Sequence, residues 1–332
     1  MFVSESMFTR SRPHGRGTRW QAAMAVALLA GSLGAVGAGP AAAEPGDRPQ
    51  VLAHRGLAQT FSLDGVDADT CTAERIDPPT HQFLENTVDG MRAAFEAGAD
   101  QVEFDVHWTA DGQFAVFHDW TLDCRTNGTG TTRDHTMDEL RGLDIGYGYT
   151  ADGGKTHPFR GKGVGLMPSL DEVLAAFPTE SLLIHIKSSD ADEGAALADR
   201  LAEEDRERLT VYGGDEPIAA LRERLPDLRV MSKQIMLECL APYEVAGWTG
   251  AIPDACRNTQ LHIPEGYTRL LAGWPDRFAE DMAGVDARIV LVAGSGGFSE
   301  GFDTPESLDR LPAGFTGLVW TNRVDVIAPL LD

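Results

Sequence analysis

Residues 101–107 have the sequence QVEFDVH, in which polar and apolar residues alternate without a break. Side chains along a β-strand point alternately to the two faces of a sheet. Glu103, Asp105 and His107 therefore share one face, and the apolar residues between them share the other. We expect this segment to be a strand with an apolar outer face and an inner face that carries two carboxylates.

Further short apolar runs alternate along the chain with segments of helical periodicity. The predicted strands are Gln50–Ala53, Gln101–Val106, Phe114–Phe117, Leu182–Ile186, Leu209–Tyr212, Leu228–Met231, Ala287–Val292 and Gly317–Trp320. The predicted helices are Asn86–Ala97, Ser169–Phe177, Ala191–Glu204, Glu216–Arg224, Ile235–Ala246, Trp274–Met282 and Pro305–Arg310. This alternation indicates a parallel sheet with crossover helices. For 332 residues we predict an α/β fold, a closed (β/α)8 TIM barrel.

An open, doubly wound sheet is the alternative fold. It would need a glycine-rich phosphate turn after the first strand. Residues 53–56 read AHRG, which is not that motif. Two long segments without clear periodicity, residues 57–84 and 143–168, interrupt the pattern. Loops of this length inside a compact domain are usually functional or disordered.

The first 43 residues read as a secretory signal peptide. Four arginines precede the uncharged apolar stretch Ala22–Ala38, and three alanines at 41–43 offer a cleavage site. A transmembrane anchor is the alternative, but the stretch is short and rich in glycine. We therefore expect a secreted or periplasmic protein with no stable membrane anchor. No low-complexity linker divides residues 44–332, which we interpret as one domain.

The chain is strongly acidic, with a formal charge of −23. Removing residues 1–43 takes away four arginines and one glutamate, so the charge becomes −26. Such a charge repels the phosphate backbone of nucleic acids and disfavours adsorption to anionic membranes. The expected partner is a small molecule.

Four cysteines, Cys71, Cys124, Cys239 and Cys256, occur in a chain that we expect to be exported. An even number in an oxidising compartment indicates two disulfides, for which three pairings are possible. Pairing Cys239 with Cys256 would close a short loop and leave Cys71 to pair with Cys124. A zinc site is the alternative, but no CxxC spacing supports it.

Three of the apolar runs end in basic side chains. The first ends in His54 and Arg55, the second in His118, and the third in His185 and Lys187. Catalytic residues occupy this position in a TIM barrel. Two inward carboxylates, Glu103 and Asp105, would repel each other unless a cation neutralised them, and oxygen ligands favour Ca²⁺ or Mg²⁺. Two histidines and a metal ion supply a general base, a general acid and an electrophile. Other histidines, His262 among them, are expected in exposed loops or turns.

A series of short motifs in a fixed order resembles the glycerophosphodiester phosphodiesterases. The resemblance is dense from Val51 to about Asp144 and thins after Lys187. Its motifs are Ala53–Gly56 (AHRG), Glu85–Thr87 (ENT), Gly98–Asp100 (GAD), Glu103–Val106 (EFDV), Thr109–Gly112 (TADG), His118-Asp119, Arg125–Gly130 (RTNGTG), Met167–Val173 (MPSLDEV) and Leu182–Lys187.

The resemblance implies a TIM barrel that hydrolyses glycerophosphodiesters to glycerol 3-phosphate and an alcohol with the help of a divalent metal ion. It implies that His54 and His118 are the acid–base pair and that a glycerol hydroxyl attacks phosphorus. The other implied roles are phosphate binding for Arg55, Lys187 and Asn86, orientation of His54 or the phosphate site by Glu85, and metal binding by Glu103, Asp105 and position 185.

This sequence departs from the family pattern at two places. His185 stands where the family usually has a metal-binding Glu, so Mn²⁺ or Zn²⁺ joins Ca²⁺ and Mg²⁺ as a possible ion. An insertion, residues 57–84, follows His54-Arg55 directly and is expected to overhang the pocket. A lyase that leaves a cyclic phosphate from lysolipids, as phospholipase D or sphingomyelinase D types do, and a non-catalytic phosphodiester-binding protein are the alternative functions. The sequence leaves the oligomeric state open.

Overall fold

The computed structural model describes residues 48–67, 70–297 and 300–331. Eight parallel strands within these residues form a nearly closed barrel with helices around it, which confirms the predicted TIM barrel. The predicted signal peptide, residues 1–43, lies outside the described residues.

The strands and helices alternate along most of the chain. The strands are β1 (Gln50–Ala53), β2 (Gln101–Trp108), β3 (Phe114–Val116), β4 (Ser181–Ile186), β5 (Leu209–Gly213), β6 (Arg229–Met231), β7 (Gln260–Pro264), β8 (Arg288–Val292) and β9 (Leu318–Thr321). The α-helices are α1 (Val88–Glu96), α2 (Met137–Arg141), α3 (Leu170–Ala176), α4 (Ala191–Leu201), α5 (Asp215–Arg224), α6 (Lys233–Ala246), α7 (Asp276–Ala283) and α8 (Val324–Leu331).

Around the barrel the strand order is β1, β2, β4, β5, β6, β7, β8, β9, and β9 pairs with β1. Parallel ladders join all neighbours except β6 and β7. Between those two strands, the described residues contain a single bridge, from Val230 to Thr259. Backbone pairing around the barrel is therefore sparsest between β6 and β7.

Two predictions about the strands were wrong. The segment Phe114–Phe117 was expected in the parallel sheet, but β3 is a short antiparallel partner of β2 outside the barrel. One barrel strand, β7, was not predicted, because its alternation of Gln260 and His262 with apolar residues extends over only five positions. His262, expected in an exposed loop, lies in β7 and is half-buried.

The alternation in β2 has the predicted consequence. Val102, Phe104 and Val106 are fully buried in a core between the barrel and its surrounding helices. The opposite face carries Glu103 and Asp105 into the barrel. Beneath them an apolar layer fills the interior, formed by Leu52, Leu183, Val290, Leu318 and Trp320. Polar groups are thereby concentrated at the carboxyl ends of the strands.

Both expected disulfides are present, Cys71–Cys124 and Cys239–Cys256. The first joins the segment 57–84 to the loop after β3. The second joins α6 to the short 3-10 helix that precedes β7. The first bond therefore fixes a segment that borders the carboxyl end of the barrel, and the second ties α6 to the segment that leads into β7.

Candidate active site at the carboxyl end of the barrel

Three inward side chains form a group that could hold a metal ion. One ligand atom each from Glu103, Asp105 and His185 lie within 4.8 Å of one another. Burial and the neighbouring Asp105 raise the pKa of Glu103 to about 8. Burial also opposes ionisation of Asp105, but the positive charges of Lys187, His118 and Arg55 outweigh it and hold its pKa well below the usual value. Two adjacent buried carboxylates with an imidazole fit a divalent cation, which would let both ionise.

Neighbouring groups hold this cluster in place. The Asn86 side-chain amide donates to Asp105 Oδ2 at 3.0 Å, and its Oδ1 accepts from the Asp105 backbone N–H at 3.0 Å. Tyr212 donates from its hydroxyl to Glu103 Oε1 at 2.8 Å. The Tyr212 ring also stacks on His185, with 4.1 Å between the ring centroids. Asn86, for which phosphate binding was expected, is thus engaged with Asp105.

The backbone adopts left-handed conformations at two site residues, Arg55 (φ 58°) and Asn86 (φ 57°). Such angles are uncommon for residues other than glycine and cluster at functional sites. The Arg55 backbone N–H donates to Glu103 Oε2 at 3.1 Å, and its carbonyl accepts from the Asn86 N–H at 3.1 Å. Gly56 follows with φ 78°, and a Cβ atom there would lie 2.9 Å from the backbone of α1. Close packing of α1 therefore fixes the turn that presents Arg55.

His54 is buried beside the cluster, and both of its ring nitrogens form hydrogen bonds. Its Nδ1 donates to Asn322 Oδ1 at 2.7 Å, and its Nε2 accepts from Arg55 Nε at 3.0 Å. Burial and the charge of Arg55 lower the pKa of His54 to about 3. The imidazole is therefore neutral near pH 7, with its lone pair on Nε2.

The Nδ1 atom of His118 faces a carboxylate, whereas Nδ1 of His54 faces an amide oxygen. Its Nδ1 lies 2.7 Å from the Asp119 carboxylate, which also accepts from Arg125 Nη1 at 3.2 Å. Burial, with the charges of Arg55 and Lys187, lowers the pKa of His118. Because 27% of its side chain is exposed, solvent weakens that effect. Asp119 thus orients the His118 ring and is itself held by Arg125.

The basic side chains of the site are paired with carboxylates. Lys187 Nζ lies 3.4 Å from Asp105 Oδ1, and Arg55 Nη1 donates to Glu85 Oε1 at 3.1 Å. Arg125 also donates to both oxygens of Glu85, each at 3.2 Å. Glu85 therefore orients Arg55 rather than His54. The charges of Arg125 and Arg55 outweigh the effect of burial and lower the pKa of Glu85.

A polar pocket of about 230 Å³ adjoins His54 and Arg55. The segment 57–84 forms one wall, and residues after β8 and β9 form the other. The walls include Gln59, Phe61 and Asp77 on one side, and Asp303, Asn322 and Arg323 on the other. The segment after the first strand thus lines the entrance to the site.

Several site residues were missing from the sequence-based prediction. Tyr212 ends a predicted strand, and Asn322 follows another by two residues. The rule that polar residues at strand ends face the site would have found both. Arg125 lies in the motif RTNGTG, but only the structure shows that it joins Glu85 to Asp119.

The Glycerophosphoryl diester phosphodiesterase family model matches residues 54–224, just over half of the chain. The chain belongs to this family. The matched residues include the His54–Arg55 turn, the Glu103–Asp105–His185 cluster and His118. Asn322 and His262 lie beyond them.

Relatives in the family are similar over part of their length. A glycerophosphodiester phosphodiesterase of Caldanaerobacter subterraneus subsp. tengcongensis is 38% identical over 103 residues, which cover 31% of this chain and 39% of the relative. Another, of Bacillus subtilis, is 36% identical over 114 residues, covering 33% of this chain and 38% of the relative. The chain thus matches less than half the length of these relatives.

Solved structures of the family share the fold. The glycerophosphodiester phosphodiesterase of Agrobacterium tumefaciens is 22% identical with a TM-score of 0.55, covering 85% of this chain and 99% of that one. An Oleispira antarctica phosphodiesterase, solved with the product sn-glycerol-3-phosphate, is 18% identical with a TM-score of 0.54, covering 84% and 94%. In the described part of this chain, no helix has the length and apolar character needed to cross a membrane.

Proposed function

We propose that this protein is a secreted, metal-dependent phosphodiesterase that hydrolyses glycerophosphodiesters to glycerol 3-phosphate and a free alcohol. One observation carries the proposal. A buried Glu103–Asp105–His185 cluster lies beside Arg55 and Lys187, with the neutral imidazole of His54 held at its edge. The named activity of the relatives and the glycerol 3-phosphate in the Oleispira antarctica structure agree with this chemistry.

Glu103, Asp105 and His185 would hold one divalent ion, Ca²⁺, Mg²⁺, Mn²⁺ or Zn²⁺. The bound ion would neutralise the two carboxylates and polarise a phosphoryl oxygen. Arg55 and Lys187 would balance the charge of the phosphodiester monoanion. Their present partners, Glu85 and Asp105, hold both cations at the cluster before substrate binds.

The partners of the two histidines assign their roles. An amide oxygen at Nδ1 leaves His54 neutral with its lone pair on Nε2, which accepts from Arg55 Nε before substrate binds. When Arg55 turns to the phosphate, this lone pair would be released and would suit a general base. Burial and the neighbouring cations lower the pKa of His118 in the substrate-free site. The Asp119 carboxylate at Nδ1 and the negative charge of a bound diester would favour its protonated ring, which suits a general acid. His54 would accept the proton of the attacking glycerol hydroxyl. His118 would protonate the departing alkoxide.

The first step would form a bond from the glycerol oxygen to phosphorus and break the bond to the alcohol, giving a five-membered cyclic phosphate. In the second step the roles reverse. The neutral His118 would take a proton from water as it attacks phosphorus, and the protonated His54 would return its proton to the glycerol oxygen. Atoms and charges balance, and the products are glycerol 3-phosphate and the alcohol.

The location is part of the proposal. The signal-like residues 1–43 and the two disulfides support export to an oxidising compartment. The acidic surface with a local cationic site favours a small diester over a polyanion. A cationic alcohol such as choline suits this surface best. The salt dependence of KM for choline, glycerol and inositol diesters would test this preference.

The decisive experiment combines metal removal with product analysis. Purified protein is treated with a chelator, then each of the four ions is restored, and phosphorus NMR follows glycerophosphocholine. We expect activity to vanish on chelation, to return with one or more ions, and to end in glycerol 3-phosphate. Full activity after chelation would contradict metal dependence, and a cyclic phosphate as the end product would indicate a lyase. Binding of glycerophosphocholine without hydrolysis would indicate that the protein is a non-catalytic phosphodiester-binding protein.

A further inference from the structure

An apolar groove of about 190 Å³ lies between α6 and the segment that follows β7. Met236, Leu240, Ile263 and Pro264 are among its lining residues. Leu237 and Leu270 border it and are 42% and 59% exposed. An engineered apolar cavity of about 150 Å³ binds benzene, so this groove has room for a segment of hydrocarbon.

The inner end of the groove is formed by His262, whose other neighbours belong to the active site. This ring lines the groove and also contacts Tyr212 and Trp320, with centroid distances of 5.3 and 5.5 Å. Those two rings in turn contact His185 at 4.1 Å and His54 at 4.7 Å. A single ring therefore separates the groove from aromatic side chains that touch the catalytic histidine and the metal cluster.

In the described residues, no β-ladder closes the barrel wall at this place. β6 ends at Met231. In the described chain, the one bridge on this side of β6 joins Val230 to Thr259, the residue just before β7. Towards the carboxyl end no ladder joins the two strands, so side chains alone close the gap. The disulfide Cys239–Cys256 secures α6, the outer wall of the groove.

A polar pocket and an apolar groove thus lie on two different sides of the site. The polar pocket adjoins β1 and β9, whereas the apolar groove opens between β6 and β7. A diester with one polar and one hydrocarbon substituent would match both. The groove-lining residues, 233–271, all lie beyond the family match, which ends at residue 224.

We propose that this groove binds the hydrocarbon chain of the substrate, so that single-chain glycerophosphodiester lipids are substrates. The inference rests on the proposed function and adds the substrate class. The free hydroxyl of a 1-acylglycerol diester would attack phosphorus, His54 would take its proton, and the bond to the head-group alcohol would break as His118 protonates it. Water would then open the cyclic phosphate to 1-acylglycerol 3-phosphate. The acyl chain takes no part in bond changes and contributes binding only.

The first test uses a series of 1-acyl glycerophosphocholines below their micelle concentrations, with glycerophosphocholine as the reference. Burial of each methylene contributes about 0.8 kcal/mol, so we expect kcat/KM to rise up to about fourfold per added methylene until the groove is full. A kcat/KM that does not change with chain length would overturn the proposal.

Variants on α6 supply the second test. Leu237→Glu places a charge at the groove, and Ala241→Trp fills it. Both should lower kcat/KM for the 1-decanoyl substrate at least tenfold and leave glycerophosphocholine hydrolysis unchanged. Val245→Glu is the matched control, because Val245 lies on the same helix outside the groove and is 76% exposed. An equal effect of Val245→Glu would contradict the assignment.

A binding measurement separates this inference from the proposed function. Decylphosphocholine lacks the glycerol hydroxyl and cannot react by the proposed route. Calorimetry should show that it binds the wild type and that Leu237→Glu weakens its binding at least tenfold, whether or not glycerophosphocholine is hydrolysed. Absence of binding to the wild type would overturn the inference. The inference would also be overturned if light scattering showed that the wild type is a dimer and that Leu237→Glu dissociates it. A second copy of the chain would then occupy the groove.

Discussion

The side-chain oxygen of Asn322 lies 2.7 Å from Nδ1 of His54, although 268 positions separate the two residues in the chain. Asp303 fixes the orientation of this amide by accepting from its Nδ2 at 2.8 Å. Oδ1 therefore faces the imidazole and selects the tautomer with hydrogen on Nδ1. The residue after the last strand thereby leaves the lone pair of His54 on Nε2, the atom that the proposed mechanism uses as a base.

Replacing Asn322 with Asp should change the pH dependence of the reaction. A carboxylate favours the protonated imidazole, so the pKa of His54 would rise from about 3. The base would then lose its lone pair at higher pH, and the acidic limb of kcat/KM would move upward. The profile is measured at saturating metal, so that metal loss does not contribute. Asn322→Ala is the comparison, which should lower kcat about 10- to 100-fold without that upward shift.

Each catalytic histidine should be indispensable for turnover. His54→Ala and His118→Ala are expected to lower kcat by about 10²- to 10⁴-fold, because each removes one proton transfer. Choline release from glycerophosphocholine gives the rates, and circular dichroism checks the fold. His157→Ala, in the loop before α3, should retain wild-type kcat. Normal turnover by either site variant would refute the acid–base assignment.

Metal binding should release a proton near pH 7. The pKa of Glu103 is about 8 in the metal-free site, so this carboxyl is largely protonated at pH 7 and must ionise to bind the ion. His185, whose pKa burial lowers to about 4, is already neutral. The apparent affinity should therefore fall up to about tenfold for each pH unit below 8.

Calorimetry in buffers of different ionisation enthalpy measures this proton release. Glu103→Gln should abolish it, whereas Asp77→Asn, which removes a carboxylate of the polar pocket, should leave it unchanged. An affinity that is constant between pH 6 and 8 would show that Glu103 is not a ligand.

The two disulfides should differ in their contributions. Loop-closure entropy assigns about 4 kcal/mol to Cys71–Cys124 and about 3 kcal/mol to Cys239–Cys256, whose sequence separations are 53 and 17. Denaturant unfolding of the two double Cys→Ser variants compares their free energies of unfolding. Loss of Cys71–Cys124 should also raise KM for glycerophosphocholine, because the segment 57–84 lines the pocket. An unchanged KM would mean that this wall is rigid without the bond.

Much of the site could be predicted because local patterns encode it. Alternation in β2 placed Glu103 and Asp105 on the inward face, and apolar runs that end in histidine placed His54, His118 and His185 at one end of the barrel. β7 was missed although Gln260 and His262 alternate with Leu261 and Ile263 as in β2, because the pattern covers only five residues and ends at a proline. Asn322 was missed although it follows a predicted strand, because its importance depends on a partner at the other end of the chain.

The sequence by itself determined the barrel, the inward carboxylates and the histidines at the strand ends, since strand periodicity and chain order are local properties. Only the tertiary structure decided the protonation of these groups and the placement of the polar pocket and the apolar groove beside the site. The pKa values of His54 and Glu103 depend on burial and on neighbours from distant strands. The opening between β6 and β7 depends on where two short strands stop pairing, which no single segment specifies.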